Sequence, residues 1–465
     1  PAQVRHYWSV LNKAIQRDLP RKRDDFGSLT RRPFQVRQAD AALNPDQRDG
    51  QDYNGVMFSS KWLADDLGLT SDAELTTLRQ LVDQAHQQTG FGDSSPADWW
   101  VLIMGDGDGM GQYVSGVKLH NYSEYVIRDA IAESRFSPGM LDALLNSRKR
   151  MGPATHVGLN RALLDFSNRL VPYLTEQRFC GRVVYSGGDD VMVMLPLADL
   201  PGYLRSLRAA WSGATDPGGE FRADGGYWHP PAAELEGIPK RPLFTMGKDA
   251  TMSLGIVIAH KSVPLPTVLE KLWEAEKDRA KKMKGGPKGQ NPPAKDGLCF
   301  RVIYGSGNTL EALMKGHLLE SWWQMLESYR AAPNPKDALA PVLYRLAEEL
   351  PRHADVTANH QLCSLVAKVV ISNRDQQLPQ TTQEALEQWL NAWEAWAWAA
   401  QPQQQELITK QRKSSEAAEK AAKTQTLGAS VEDLGYLLRF TAFWASRRQQ
   451  EQSWTDPSQP AGGTR

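Results

Sequence analysis

The chain has 465 residues, 41% hydrophobic and 23% charged, and its 54 Lys+Arg balance its 54 Asp+Glu. That length provides for roughly three domains with sizeable cores. Zero net charge excludes a bulk electrostatic pull toward nucleic acid or a membrane surface, so anion binding must come from local patches.

The first 97 residues are mixed in character, with a charged loop expected over "RKRDDFGSLTRRPF" and an amphipathic helix over "AELTTLRQLVDQAHQQ". From Trp99 the texture changes, and "WWVLIMGDGDGMG" reads as an apolar strand running into a glycine-rich acidic loop. "SEYVIRDAIAESRF" predicts a helix capped by Ser123. "HVGLNRALLDFSNRLVPYL" predicts another, with Leu159, Leu163, Phe166, Leu170 and Leu174 on one stripe. "VVYSGGDDVMVML" reads as a buried hairpin with Gly187-Gly188-Asp189-Asp190 at its tip. A helix over "LADLPGYLRSLRAAW", a Gly/Pro-rich inserted loop at about 213–245, a strand over "TMSLGIVIAH", a helix over "PTVLEKLWEAEKDRAKKMK" and a strand over "GLCFRVIYG" follow.

This order predicts an α+β fold: a ferredoxin-like polymerase/cyclase palm, with helices on one face, over residues 98–306. A mostly helical N-terminal connecting region (1–97) precedes it. Strands are expected to stop beyond about Gly307, leaving an all-α domain (307–452) and a disordered tail (453–465). The Gln/Lys-rich stretch "QPQQQELITKQRKSSEAAEKAAKTQ" is expected to be solvated or mobile. Cys180, Cys299 and Cys363 lie far apart with no Cys-x-x-Cys pair, which fits a reducing cytoplasm better than a disulfide framework. No apolar run reaches membrane-spanning length and no secretory leader is visible; the start at Pro1 leads us to expect an upstream part.

The chemistry concentrates at the hairpin. Adjacent carboxylates repel, and one is pushed toward protonation unless a cation neutralises the pair. Mg²⁺ or Mn²⁺ would do so while keeping coordination positions for phosphate. Asp106 and Asp108 offer a second acidic group at the end of the first palm strand, which the fold places beside the hairpin. Asp106, Asp189 and Asp190, with the Gly107 carbonyl, would hold two ions: one activates an attacking hydroxyl, the other steadies a triphosphate. The two hairpin glycines allow close approach of a phosphate. Lys277, Lys281 and Lys284 share a helical face, so that Lys281, with Lys282, would meet β- and γ-phosphates. Each feature has a plainer explanation alone: an acidic turn, a loop cap, a solvated lysine face. Their joint order favours the catalytic reading. For His156 and His260 a structural role is expected, and for Trp389, Trp393 and Trp396 packing rather than base stacking.

"MGDGDGMGQYVSG", "MGPATHVGLNRALLDFSNRLVPYL", "VVYSGGDDVMVMLP", "SLGIVIAHKSVPL" and "DLGYLLRF" together resemble the large palm-domain subunit of type III CRISPR effector complexes, CRISPR-associated protein ten, in its Cmr (III-B) branch. The resemblance is strong over about Trp99 to Val302 and looser over the C-terminal helices. It implies a target-RNA-activated synthase that joins ATP into cyclic oligoadenylate second messengers. Its partners would be the other effector subunits, guide RNA and target RNA. Carried over by position, Asp106, Asp189 and Asp190 would bind metal, Ser186, Gly187 and Gly188 would line the nucleotide, Lys281 would contact phosphates, and Asp108 matches the family loop. Residues 1–97 would be the region before the active palm. Many relatives carry a histidine–aspartate nuclease domain, but no His-Asp dipeptide occurs here, so no DNase activity is expected of this chain. Family zinc is not expected with three scattered cysteines.

Three alternatives stand beside this reading. A diguanylate cyclase would show GGDEF or GGEEF with an upstream Arg-x-x-Asp, whereas this chain reads Gly-Gly-Asp-Asp-Val after Arg182-Val-Val-Tyr185. A template-directed polymerase would need basic fingers and thumb. A silent palm scaffold would commonly have lost its acids. The Trp-rich C-terminal helices are expected to dock neighbouring small subunits.

Overall fold

The computed structural model describes residues 2–30, 55–92, 97–132, 135–179, 181–285, 295–330, 339–352, 362–372, 378–400 and 426–455. Cys180, the Gln/Lys-rich stretch 401–425 and the tail from 456 lie outside them.

Among the described residues, the N-terminal region holds four α-helices: α1 (Ala2–Asp18), α2 (Arg23–Thr30), α3 (Ser60–Asp66) and α4 (Asp72–Gln88). Tyr7, Leu11 and Ile15 recur at helical spacing on α1 and are fully buried with Phe26, Leu78 and Val82 in a core of their own. The charged loop expected around Arg23 is instead helical. Phe26 stacks on Trp8, and the Trp8 Nε1–H donates to Thr30 Oγ1 at 2.8 Å, so two buried anchors outweigh the charged sequence around them.

The central sheet has strands β1 (Trp99–Gly107), β2 (Arg182–Gly187), β3 (Asp190–Pro196), β7 (Met252–His260), β8 (Gly297–Ile303) and β9 (Thr309–Lys315), in the order β2-β3-β1-β7-β8-β9. The first four strands in that order are the antiparallel ferredoxin-like core. β8 runs parallel to β7, and β9 returns antiparallel to β8. The expectation that strands stop near Gly307 is thereby corrected: Ala312, Leu313 and Met314 are buried against the sheet, and the strand that carries them joins the palm to the C-terminal helices.

Helices cover both faces, not one. Between β1 and β2 lie α5 (Met110–Val114), α6 (Met140–Asn146) and α7 (Pro153–Asp165); α7 continues through a π-turn (Phe166–Leu170), a single turn (Val171–Tyr173) holding Pro172, and a second π-turn (Leu174–Arg178). Phe166, Leu170 and Leu174 bury the expected stripe, together with α8 (Leu200–Ser212), on the face carrying Val101, Ile103, Leu254 and Ile256. The alternate residues Leu102, Val257 and Ala259 face α9 (Leu265–Trp273) on the other side, as the two-residue period of a strand requires. A crossover between parallel strands has to lie on a face of the sheet, which is why α9 takes the second one.

The helix expected from Ser123 is not formed. Tyr122–Glu124 and Arg128–Ala130 are short 3₁₀ turns, and with Ile127 76% exposed the segment has no apolar stripe docked to stabilise a helix. The inserted loop is a three-stranded sheet, β4 (Arg222–Asp224), β5 (Tyr227–His229) and β6 (Leu243–Phe244). It is pinned to the α7 continuation by Arg178, bidentate to Asp216 at 2.6 and 2.7 Å, and to the end of α7 by Arg241 on Asp165 at 2.6 Å.

The C-terminal helices are α10 (Leu319–Arg330), α11 (Leu339–Arg352), α12 (Leu362–Ser372), α13 (Gln380–Ala400) and α14 (Val431–Thr455). Their core is continuous with that of the palm: Phe300 of β8 stacks on Phe440 of α14 with centroids 4.4 Å apart. Trp389, Trp393 and Trp396 are buried in this core, as the packing expectation held. The same burial removes the reason for expecting them to dock neighbouring subunits. Among the described residues, no helix is long and apolar enough to cross a membrane.

Candidate active site at the hairpin tip

β1 and β3 pair with Gly105 opposite Val191, so the next step brings Asp106 beside Asp190. Asp190 pairs with Gly187 across the hairpin, leaving Gly188 and Asp189 as a two-residue turn. Gly188 has φ +63° while Asp189 keeps a negative φ, the type II′ pattern that matches strand twist. Gly107 is demanded by a close approach: a Cβ there would lie 2.6 Å from Trp211 Cζ2 and 2.9 Å from Asp189 Cβ. The hairpin is not wholly buried, because β2 is a sheet edge with Val184 and Tyr185 exposed, while β3 buries Val191, Val193 and Leu195. Ser186 Oγ donates to the Ser167 carbonyl at 2.9 Å, which ties the hairpin to the first π-turn of the α7 continuation.

The acids are crowded. Burial, a hydrogen bond with Asp106 and the charges of Asp106 and Asp189 push the Asp190 carboxyl up to about 6, with Lys281 opposing. Burial, then the Asp106 charge, raises Asp189 as well. A carboxyl raised in the folded state above its unfolded value adds stability at low pH that is lost as pH rises through the folded value. In metal-free protein this contribution should therefore decline between about pH 4 and about pH 6. Melting temperatures across that range should show the decline for the wild type, a flatter profile for Asp190→Asn, and recovery of the wild type above pH 6 on adding Mn²⁺.

Lys281, expected at the phosphates, here meets the acids: its Nζ lies 3.1 Å from Asp106 Oδ2 and pairs with Glu276 on its other side. Burial alone would lower its pKa, but the contacts with Glu276 and Asp106 outweigh it and raise the value. Lys282 points away, paired with Asp278 at 2.7 Å in solvent, because Glu274–Arg279 is a π-turn and Ala280–Lys282 a 3₁₀ turn, so the α-helical spacing read for Lys277, Lys281 and Lys284 does not apply. Asp108 also has another task. It is buried, and its carboxylate accepts from Thr251 Oγ1, Ser253 Oγ and the Asp296 N–H at 2.8, 2.8 and 2.9 Å. Glu276 was missed by sequence reading; its one signal is Gly255, where a Cβ would lie 2.7 Å from the Glu276 backbone nitrogen. His260 is engaged locally with Ser262 Oγ at 2.7 Å.

The donor set of Asp106, Asp189 and Asp190 is all carboxylate, suited to Mg²⁺ or Mn²⁺, and the Lys281 ammonium already supplies a positive charge there. Among the described residues, no group of three or more His, Cys, Asp or Glu side chains is drawn together tightly enough to hold a metal as it stands. The residues fit a divalent ion in chemistry and location; binding would have to draw them in and move Lys281.

A ferredoxin-like sheet with acids at the end of its first strand and on the central hairpin defines a palm domain of the polymerase/cyclase type. Residues 101–288 match the model for the second palm domain of Cas10/Cmr2. The chain is 24% identical over 276 residues to "CRISPR system Cmr subunit Cmr2" of Pyrococcus furiosus, a match taking in 58% of this chain and 26% of that protein. The matched region is thus about a quarter of the relative's length. Among solved structures, a chain of the type III-B Cmr-beta complex in its apo state matches with a TM-score of 0.45 and 15% identity, covering 65% of this chain and 36% of that one. A chain of Cmr-beta bound to cognate target RNA gives 0.46 and 14%, covering 65% and 37%.

Proposed function

We propose that this chain supplies the catalytic palm of a type III CRISPR effector complex and joins ATP into cyclic oligoadenylates when guide RNA pairs with target RNA. The observation that supports it is the convergence of Asp106, Asp189 and Asp190 inside a palm that matches the Cas10/Cmr2 second-palm model, with Lys281 on Asp106. Two divalent ions would supply Lewis-acid activation of a ribose hydroxyl and charge neutralisation at the leaving pyrophosphate. The chain's own part is to hold three carboxylates on two paired strands and the tight turn beside them, to admit the phosphates over Gly187 and Gly188, and to bring the Lys281 ammonium to the β- and γ-phosphates. The other effector subunits and both RNAs are its partners in this reading, and Mg²⁺ or Mn²⁺ its cofactors.

A silent palm scaffold is the second reading, favoured by the Lys281 contact on Asp106 and the lack of a pre-drawn metal group among the described residues. One assay separates the two. The assembled complex with guide RNA, matched target RNA, ATP and Mg²⁺ or Mn²⁺ should yield cyclic oligoadenylates by mass spectrometry, and Asp189→Ala/Asp190→Ala should assemble but yield none. No product from well-assembled wild type, with guanylate substrates also tried, would overturn the synthase reading.

A further inference from the structure

Glu276 is a buried carboxylate with one visible companion. Its side chain is 2% exposed, and apart from the Lys281 ammonium neither oxygen has a hydrogen-bond partner among the described residues. Gly255 lets the π-turn that carries Glu276 sit directly on β7, and Gly297, whose Cβ would collide with the Ala280 backbone, lets the next turn sit on β8. The carboxylate is therefore held by backbone packing, whereas Lys281 reaches it on a flexible stem. The other contact of that ammonium is Asp106, a proposed metal ligand.

We propose that Glu276 is a positioning residue: it tethers Lys281 so that the ammonium serves as the counter-cation of Asp106 until a divalent ion takes its place, and the displaced ammonium then turns to phosphate without leaving the site. This rests on the metal-binding reading above. Three facts carry it. A buried carboxylate is costly unless paired, and Lys281 is the partner the structure gives it. A lysine between two carboxylates can release one and keep its charge compensated by the other. Metal and ammonium cannot both occupy the same oxygen of Asp106, so binding of the ion and release of Lys281 are linked.

Two readouts on the full chain test it. The first needs no metal: labelling of Lys281 by an amine-reactive reagent, followed by mass spectrometry. Glu276→Gln is nearly isosteric and should raise the labelling rate several-fold; an unchanged rate overturns the tether. The second is Mn²⁺ affinity by electron paramagnetic resonance on nucleotide-free protein. Lys281→Met should tighten Mn²⁺ by about tenfold, because it removes a competing charge from Asp106. Glu276→Gln should weaken Mn²⁺ by about tenfold in the wild-type background and by no more than about twofold in the Lys281→Met background, since Glu276 acts through Lys281. Equal factors in both backgrounds would mean a merely structural or independent electrostatic role and overturn the proposal. If wild type and Asp190→Asn both fail to bind Mn²⁺, the metal reading falls, and with it the exchange at Asp106; the labelling result still decides whether Glu276 holds Lys281.

Discussion

Asp106→Asn in the assembled complex should lower cyclic oligoadenylate synthesis at least about a thousandfold, or about 4 kcal/mol of transition-state stabilisation. Asn keeps the shape and one oxygen but loses the charge that, in the proposed mechanism, would hold the divalent ions. The chain should stay folded. Asp106 is 25% exposed and sits among like charges: the Asp190 carboxyl is pushed up to about 6, in part by Asp106. Removing one negative charge relieves that crowding while it frees Lys281 to Glu276 alone, and the two changes oppose one another in stability. The melting temperature should therefore move by only a few degrees, which separates a catalytic loss from an unfolded protein. Retention of more than about a tenth of the wild-type rate would remove Asp106 from the metal-binding set and with it the two-ion mechanism.

The palm was legible in the sequence because its strands are short apolar runs separated by glycine-rich turns, and because the acids mark the strand ends. The order of Asp106, Asp189 and Asp190 along the chain already implies their proximity, since strand pairing in this fold converts the one into the other. What was not legible depended on tertiary contact. Lys277, Lys281 and Lys284 look like one face only if the helix is regular, and two non-α turns break that periodicity at Glu274 and Ala280. β9 follows Gly307 with the mixed sequence "TLEALMK", whose strand character comes from pairing to β8, from Ile303 opposite Thr309 to Gly297 opposite Lys315. "SEYVIRDAIAESRF" shows the converse, a helical pattern with no core to pack on. Asp108 was the hardest case, for nothing in "GDGDG" distinguishes a carboxylate facing a nucleotide from one facing the interior.

Asp108→Ala should be among the most destabilising single substitutions in the palm, costing about 3–5 kcal/mol in urea unfolding of the full chain. The alanine would leave two hydroxyls and the Asp296 N–H without their acceptor in a site 3% exposed. It would also strip charge from a buried cluster. Lys315 is fully buried, and burial holds its pKa down to about 8 against the pull of Asp296 and Asp108. The neighbouring Lys295 and Asp296 both have positive φ, +61° and +49°, a conformation that non-glycine residues hold only when their surroundings over-determine it. Asp108 is one of those restraints. Others are Arg208, 2.6 Å from Asp296 Oδ1, the Gly316 N–H on the Asp296 carbonyl at 2.7 Å, the Lys295 N–H on the Met283 carbonyl at 3.0 Å, and Lys315 Nζ on the Lys295 carbonyl. Asp108→Asn keeps one acceptor oxygen, for either the Ser253 hydroxyl or Thr251 with the Asp296 N–H, and loses the charge; it should cost roughly half as much as alanine. The pair also separates this structural task from a catalytic one. If Asp108 holds the loop from beneath, Asp108→Asn should lose stability first and keep a substantial fraction of synthesis below its melting temperature, where Asp106→Asn keeps stability and loses synthesis. A stable but inactive Asp108→Asn would move this carboxylate from the interior network into the reaction itself.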